Sequence, residues 1–445
     1  MRERKFVRTF GAKFAIGNWS ATARERSFLI VVAVLLSLLS HIVFLRLLPI
    51  PWQRNESADY RVFYEPVARQ LEAGNGFHLP SGSPALKYPP GIPSVFAATF
   101  WLSDHLGVSH HNGLRALQGL LTVATSLMVA MIAFETSGAR VGLMACFLWS
   151  TYPFHLWLSK QPSAEPLICV LLAASVLAFL RWTLTGRGAV LWGSLCGAVV
   201  ACAALTKPFN IGLAAVFVAL AWICDVPCTR RARALFSASV VLAFALSMLP
   251  WEVWASEQAG HCIPLCTNGT ASLVDGLTFG VGRNKIQTLP ALPSPVAALA
   301  NDFAAHRRDF ETNRKIIGLL LADIRKKPTA VASLFFVKAM QSWYENDSHH
   351  HERWAALIQL FYLPLLLLGA WLARRSDRQY KNFALIACGV GLYYWAMTTF
   401  VALAILRYMV PAISLLMVVA GNGLEVMAQA FGWRPVLAKQ EVVGD

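Results

Sequence analysis

Residues 28–48 read FLIVVAVLLSLLSHIVFLRLL. Coiled as a helix at about 1.5 Å per residue, such a run reaches across the roughly 30 Å hydrocarbon core of a bilayer. It follows a basic tail (Arg2, Arg4, Lys5, Arg8, Lys13, Arg24, Arg26). The run is too long for the core of a cleaved signal, and no small-x-small cleavage site follows it. It reads as an uncleaved first span.

The same pattern recurs along the chain. Apolar runs lie at 114–134, 141–158, 166–182, 189–205, 209–224, 234–250, 354–373, 382–405 and 408–428. The chain of 445 residues is 56% hydrophobic and only 14% charged, too few charges to cover a soluble surface of that size. No alternating strand pattern of a barrel is present, so the expected fold is an all-α polytopic membrane bundle of about ten spans. There is no internal repeat.

The short connectors fix the orientation. Arg140, then Arg181 and Arg187, then Arg230, Arg231 and Arg233, then Arg374, Arg375, Arg378 and Lys381 fall on one side, together with the basic tail. The excess of cations in cytoplasmic loops puts both termini inside. The expected organisation is a cytoplasmic tail 1–27, a transmembrane core 28–250 containing an external loop 49–113, an external loop domain 251–353, spans over 354–428 and a cytoplasmic tail 429–445. In the first loop, 60–73 and 92–106 are expected as juxtamembrane helices. A crossing by 92–106 would invert everything after it and put the Arg230–Arg233 cluster outside.

The net charge of +15 raises the question of nucleic acid, but no zinc-finger spacing, RNA-binding aromatic motif or free basic helix supports it. The positive charge fits cytoplasmic loops and contacts to anionic lipid or phosphate. Most cysteines sit inside apolar runs as small packing residues. Cys262 and Cys266 lie outside, where a local disulfide is expected over two free thiols.

Several external residues bear on chemistry. Asp59, after the first span, can serve as a base toward a hydroxyl, or as an ordinary helix cap. Lys87, held by Tyr88-Pro89-Pro90-Gly91, can meet a phosphate or snorkel to the interface. Glu165 opens an apolar helix, where its charge is either structural or functional. Lys207 and Arg407 occupy other external turns on the same side. A cluster of fixed cations is what a phosphate leaving group needs. His349-His350-His351-Glu352 could ligate a metal, but adjacent histidines rarely aim at one ion, and a solvated role is the plainer reading. Trp251, Trp254, Trp343 and Trp354 are expected as interface aromatics.

In this order, these pieces resemble the GT-C superfamily of lipid-dependent glycosyltransferases, in particular the branch of protein O-mannosyltransferases and aminoarabinose transferases. The likeness runs over about 28–225: Asp59; then Tyr64, Ala68, Leu71 and Gly74; then Lys87-Tyr88-Pro89-Pro90-Gly91; Arg115 at the second span; Gly138–Gly142; Tyr152-Pro153; and Ser163-Ala164-Glu165-Pro166. It resumes at Leu406–Pro411, including Arg407 and Tyr408. The resemblance implies an inverting sugar transferase, metal-independent or assisted by a divalent metal, using a polyprenyl-phosphate sugar donor at the outer face of a cell membrane (periplasm, exterior or organelle lumen). Its acceptor would be a glycolipid, a polysaccharide or a protein. By carry-over Asp59 is the base, Glu165 orients the acceptor, and Lys87, Lys207 and Arg407 bind the donor phosphate. Glu56, Tyr60, Tyr88, Arg115 and Tyr408 are accessory candidates. Relatives often place a second acid beside the first; here Tyr60 follows Asp59 and Glu56 precedes it by three, so a metal ligand set does not carry over. A transporter or flippase is the alternative, but the spans carry few central charges and show no matched halves. A non-catalytic assembly component, with 251–353 as its interaction domain, would leave Asp59 and Glu165 dispensable.

Overall fold

A computed structural model of the chain describes residues 23–47, 57, 59–281, 292–307, 313–346 and 352–432. Glu56, His349, His350 and His351 lie outside the described residues, as does most of both tails. Among the described residues the chain is helical, without named strands.

Eight helices are long and apolar enough to cross a membrane. They are α1 (Ala23–Leu47), α4 (His110–Ser137), α7 (Glu165–Thr185), α8 (Ala189–Thr206), α10 (Arg230–Ala259), α15 (Glu352–Ala373), α16 (Arg378–Phe400) and α17 (Leu406–Ala430). Two expected spans are shorter and broken. The run 141–158 forms α5 (Ala139–Ser150) and α6 (Pro153–Ser159). Pro153 has no N–H to continue α5 and pushes Tyr152 to an extended conformation. The Tyr152 hydroxyl is secured instead by Gln359 Nε2 at 2.8 Å. Likewise Lys207, before Pro208, is extended, and a short 3₁₀ turn (Pro208–Asn210) leads into α9 (Leu213–Ile223).

At the centre stands α17, with 89% of its most apolar window buried, against 22% for α1 and α15. It packs on α15, α5, α16 and α7. Glycine lets these backbones approach: a Cβ at Gly369 would lie 1.9 Å from the Val419 carbonyl, and one at Gly423 2.3 Å from that of Leu365. Small residues at such crossings substitute close contact for the hydrophobic drive that lipid cannot supply.

In the first external loop a π turn (Tyr60–Tyr64) runs into α2 (Glu65–Glu72), and α3 (Gly91–His105) packs on α2 and on α4. Tyr60, Phe63, Tyr64, Tyr88, Phe96 and Phe100 make its core, which reaches Ala164 and Ile168 at the start of α7. This loop therefore covers the head of the fourth expected span. The chain after residue 250 is still helical, since α10 continues through Pro250 to Ala259. Among the described residues of the second loop, α11 (Gly269–Leu277), α12 (Ser294–Ala305), α13 (Asn313–Lys326) and α14 (Pro328–Gln341) share a small core with Phe303 and Leu334.

Two expectations in this loop are corrected. Cys262 and Cys266 are free thiols. The turn between them is held by its apolar residues, with Ile263 and Leu265 buried and the Leu265 carbonyl accepting from Trp251 Nε1 at 2.7 Å. Trp251 is accordingly not an interface aromatic: it is 6% exposed and packs with Trp254 against Phe77 of the first loop.

Candidate active site

Asp59 opens the π turn but does not cap it. The Tyr60 N–H goes to Ser57 Oγ at 3.2 Å, and the Asp59 side chain makes no cap bond. Its Oδ1 accepts instead from the Tyr88 hydroxyl at 2.8 Å. The local role left open by the sequence is thus taken by Ser57, and Asp59 is turned toward the Lys87–Gly91 segment.

That segment is seated on the end of α8. A Cβ at Gly91 would lie 2.7 Å from the Leu205 carbonyl and 2.8 Å from Thr206 Cα. Only glycine permits this approach, which seats the start of α3 against Leu205 and Thr206. Lys87 is exposed, with its ammonium 5.1 Å from the centre of the Tyr88 ring.

Glu165 is the first residue of α7 and is 1% exposed. Its Oε1 accepts from Lys207 Nζ at 2.8 Å and from Arg407 Nε at 2.7 Å. The Lys207 ammonium also stands 3.8 Å over the Tyr408 ring. Burial lowers the pKa of Lys207, and the Glu165 carboxylate opposes that shift. Glu165 Oε2 is buried with no hydrogen-bond partner. Asn210 braces the turn from below, donating to the Ala203 and Lys207 carbonyls and accepting from the Tyr394 hydroxyl.

Tyr64 sits among these groups. Its ring centroid is 5.4 Å from that of Tyr88, and its hydroxyl pKa is raised well above the ordinary value, by burial first and then by the charges of Asp59 and Glu165. The sequence pattern quoted Tyr64 but gave it no role. Tyr60 packs edge-on against Phe96 and is buried. Arg115 lies on α4 and is exposed. Its charge, after burial, lowers the pKa of Lys160, a 4%-exposed residue whose ammonium has no hydrogen-bond partner. Lys160 gave no signal in the sequence beyond its position in the turn before Glu165.

One group among the described residues has the donor set for a metal: Glu72, Asp104 and His110, with ligand atoms within 4.8 Å of one another. His110 Nε2 is 2.7 Å from Asp104 Oδ1 and 3.7 Å from Glu72 Oε1. An Arg69 nitrogen lies 3.5 Å from Nδ1, and Glu72 Oε1 is buried without a hydrogen-bond partner, so the three groups form a partly satisfied polar cluster.

Residues 88–261 match the family described as dolichyl-phosphate-mannose-protein mannosyltransferase. That stretch contains Tyr88, Glu165 and Lys207 but not Asp59, Lys87 or Arg407. No match was found among curated proteins. Among solved structures, the Archaeoglobus fulgidus oligosaccharyltransferase tethered with an acceptor peptide is 15% identical, with a TM-score of 0.52 over 94% of this chain and 52% of that one. ArnT from Cupriavidus metallidurans bound to undecaprenyl phosphate is 17% identical, with a TM-score of 0.48 over 93% of this chain and 62% of that one. This chain thus spans about half the length of the archaeal enzyme. The helical membrane fold expected from the sequence is observed: eight helices are long and apolar enough to cross a membrane, and the chain shares the fold of that oligosaccharyltransferase.

Proposed function

We propose that this chain moves a sugar from a polyprenyl-phosphate-linked donor to an acceptor hydroxyl at the outer membrane face, with inversion. The observation that carries this reading is the convergence of Asp59 with Tyr88, and of Glu165 with Lys207 and Arg407, from segments far apart in sequence. The match to a family whose description names a dolichyl-phosphate mannose donor supports it.

In this reading Asp59, oriented by Tyr88, takes the acceptor's hydroxyl proton as that oxygen attacks the sugar carbon from the side opposite the phosphate. The bond from that carbon to the phosphate oxygen breaks with its electron pair. The charge developing on the phosphate is met by Lys87 and by the positive field of Lys207 and Arg407. Lys207 has three N–H donors, of which Glu165 occupies one. Glu165 holds both cations through one oxygen and offers the other to the acceptor. The membrane helices would hold the polyprenyl tail.

The test is sugar transfer from a panel of radiolabelled polyprenyl-phosphate sugars into native membrane extract, with purified wild type beside Asp59→Asn. Transfer by wild type and its loss in the folded variant is the expected result. Absence of transfer from every donor by folded wild type sinks the reading in favour of transport.

A further inference from the structure

We propose that α13 lies on the bilayer at the end of the bundle where α16 finishes, with an apolar stripe among the acyl chains and its cations on anionic phospholipid headgroups. This stands independently of the transferase reading.

The sequence of α13 is NRKIIGLLLADIRK, followed by Lys327 and Pro328. Residues three and four apart share a helix face. Ile316, Leu319 and Leu320 turn inward, onto the core that holds Phe303 and Leu334. Ile317, Leu321 and Ile324 form a separate stripe that stays 47%, 53% and 41% exposed. Arg314 stands three residues before Ile317 and Arg325 four after Leu321, so exposed cations border the stripe. Exposed Lys326 and Lys327 extend them at its end. The one acid of the helix, Asp323, is buried. The outward face of α13 therefore combines apolar and cationic groups without a carboxylate.

Single exposed aliphatic residues are ordinary on a surface. Three in register along one helix face, bordered by cations, are the pattern of a helix lying in a membrane interface. Lys and Arg can lay their stems on apolar surface and lift their charged ends to lipid phosphates. Position supports the same occupant. α13 packs on α14, and α14 packs on the long apolar helix α16. Phe335 of α14 is 5.1 Å from Phe400, the last residue of α16. Phe336 and Met340 of α14 and Phe400 are each more than half exposed. Exposed apolar side chains thus run from the end of a span onto α14, the helix against which α13 packs. The same loop is tied to the start of α17, since the Leu406 N–H donates to the Glu345 carbonyl at 2.8 Å. Lipid under α13 would brace a loop that ends beside Arg407.

The test places the full chain in nanodiscs of phosphatidylcholine alone or mixed with phosphatidylglycerol. A nitroxide is carried at position 321 on a ketone-bearing amino acid in place of Leu321, which leaves the native thiols unlabelled. Its access to oxygen, which concentrates in acyl chains, and to a water-soluble nickel chelate reports where the stripe sits. Hydrogen exchange of the unlabelled chain reports protection of the amides of 313–327. In mixed nanodiscs the label is expected to admit oxygen and exclude the chelate, with the amides protected. Arg314→Gln/Arg325→Gln should lower that protection by about fivefold for each cation, and pure phosphatidylcholine or high salt should lower it likewise. A label open to the chelate in mixed nanodiscs overturns the proposal, because α13 then stands in water. Exclusion and protection that are equal in both lipids and in the variant also overturn it, because the headgroups are then not engaged. A label closed to both reagents, with dipolar broadening between chains, puts a second copy of the chain on this face and overturns it too. None of these results bears on sugar transfer at Asp59, so the two readings fail separately.

Discussion

Replacing Glu165 by Gln keeps the shape of the side chain and removes its charge. In the wild type a single oxygen takes two charge-assisted hydrogen bonds, at 2.7 and 2.8 Å, and is 1% exposed, so water screens little of the interaction. A hydrogen bond to a charged group is worth about 1.5–3 kcal/mol against about 0.5–1.5 kcal/mol for a neutral one, so the two bonds together lose on the order of 2 kcal/mol. Lys207 and Arg407 then lose the charge of Glu165, and breaking a buried pair in this way typically costs roughly 3–5 kcal/mol in total. At about 2 °C per kcal/mol for a large domain, the unfolding midpoint should drop by roughly 5–10 °C. Thermal unfolding in nanodiscs, followed by intrinsic fluorescence, measures this directly. Because the pair is buried, the drop should be nearly the same at about 0.05 and 0.5 M salt. The double variant Glu165→Gln/Lys207→Met should be less destabilised than the sum of the singles. A drop under about 1 kcal/mol, or singles that simply add, would refute the clamp: the three side chains would then be near one another without holding the bundle.

Three further outcomes are expected. Tyr88→Phe removes the hydroxyl that orients Asp59 and should lower the transfer rate by about tenfold, the worth of one hydrogen bond, with little change in unfolding midpoint; an unchanged rate would separate Tyr88 from the chemistry. Gly91→Val places side-chain atoms against the Leu205 carbonyl and Thr206, so transfer should fall by more than tenfold while the helical circular dichroism is retained, whereas full activity would show that the segment need not touch α8. Lys338 on α14 is fully buried, and burial pulls its ammonium down to about 7. In the unfolded chain it keeps its proton up to about 10.4. Between those values the unfolded state binds more protons, so stability should rise with pH from about 7 to about 10. Lys338→Met should be more stable than wild type at pH 7 and lack that rise; parallel pH curves for the two proteins would contradict it.

The run at 28–48 and its successors determined the class of fold unaided, because a bilayer demands long apolar helices with every backbone group paired within them. Connector charges likewise gave a consistent orientation without any contact map. The breaks at Tyr152-Pro153 and Lys207-Pro208 were written in the sequence as prolines, yet the hydropathy run passed through them, and only the packed structure shows the backbone leaving the helix there. The free thiols at Cys262 and Cys266 show the converse: spacing suggested a bridge, while burial of Ile263 and Leu265 holds the turn without one.

Single acids and cations at the ends of spans were visible as candidates, each with an ordinary local explanation. Only the tertiary structure separated Asp59 from capping, since Ser57 takes that bond, and joined Glu165 to Lys207 and Arg407 across 42 and 242 residues of chain. Lys160 and Asn210 were invisible as site residues because turns contain such residues for many reasons. Periodicity and charge bias are properties of neighbours along the chain. A site is made by neighbours in space, and which helix ends meet is decided by the close packing of α15, α5, α16 and α7 around α17.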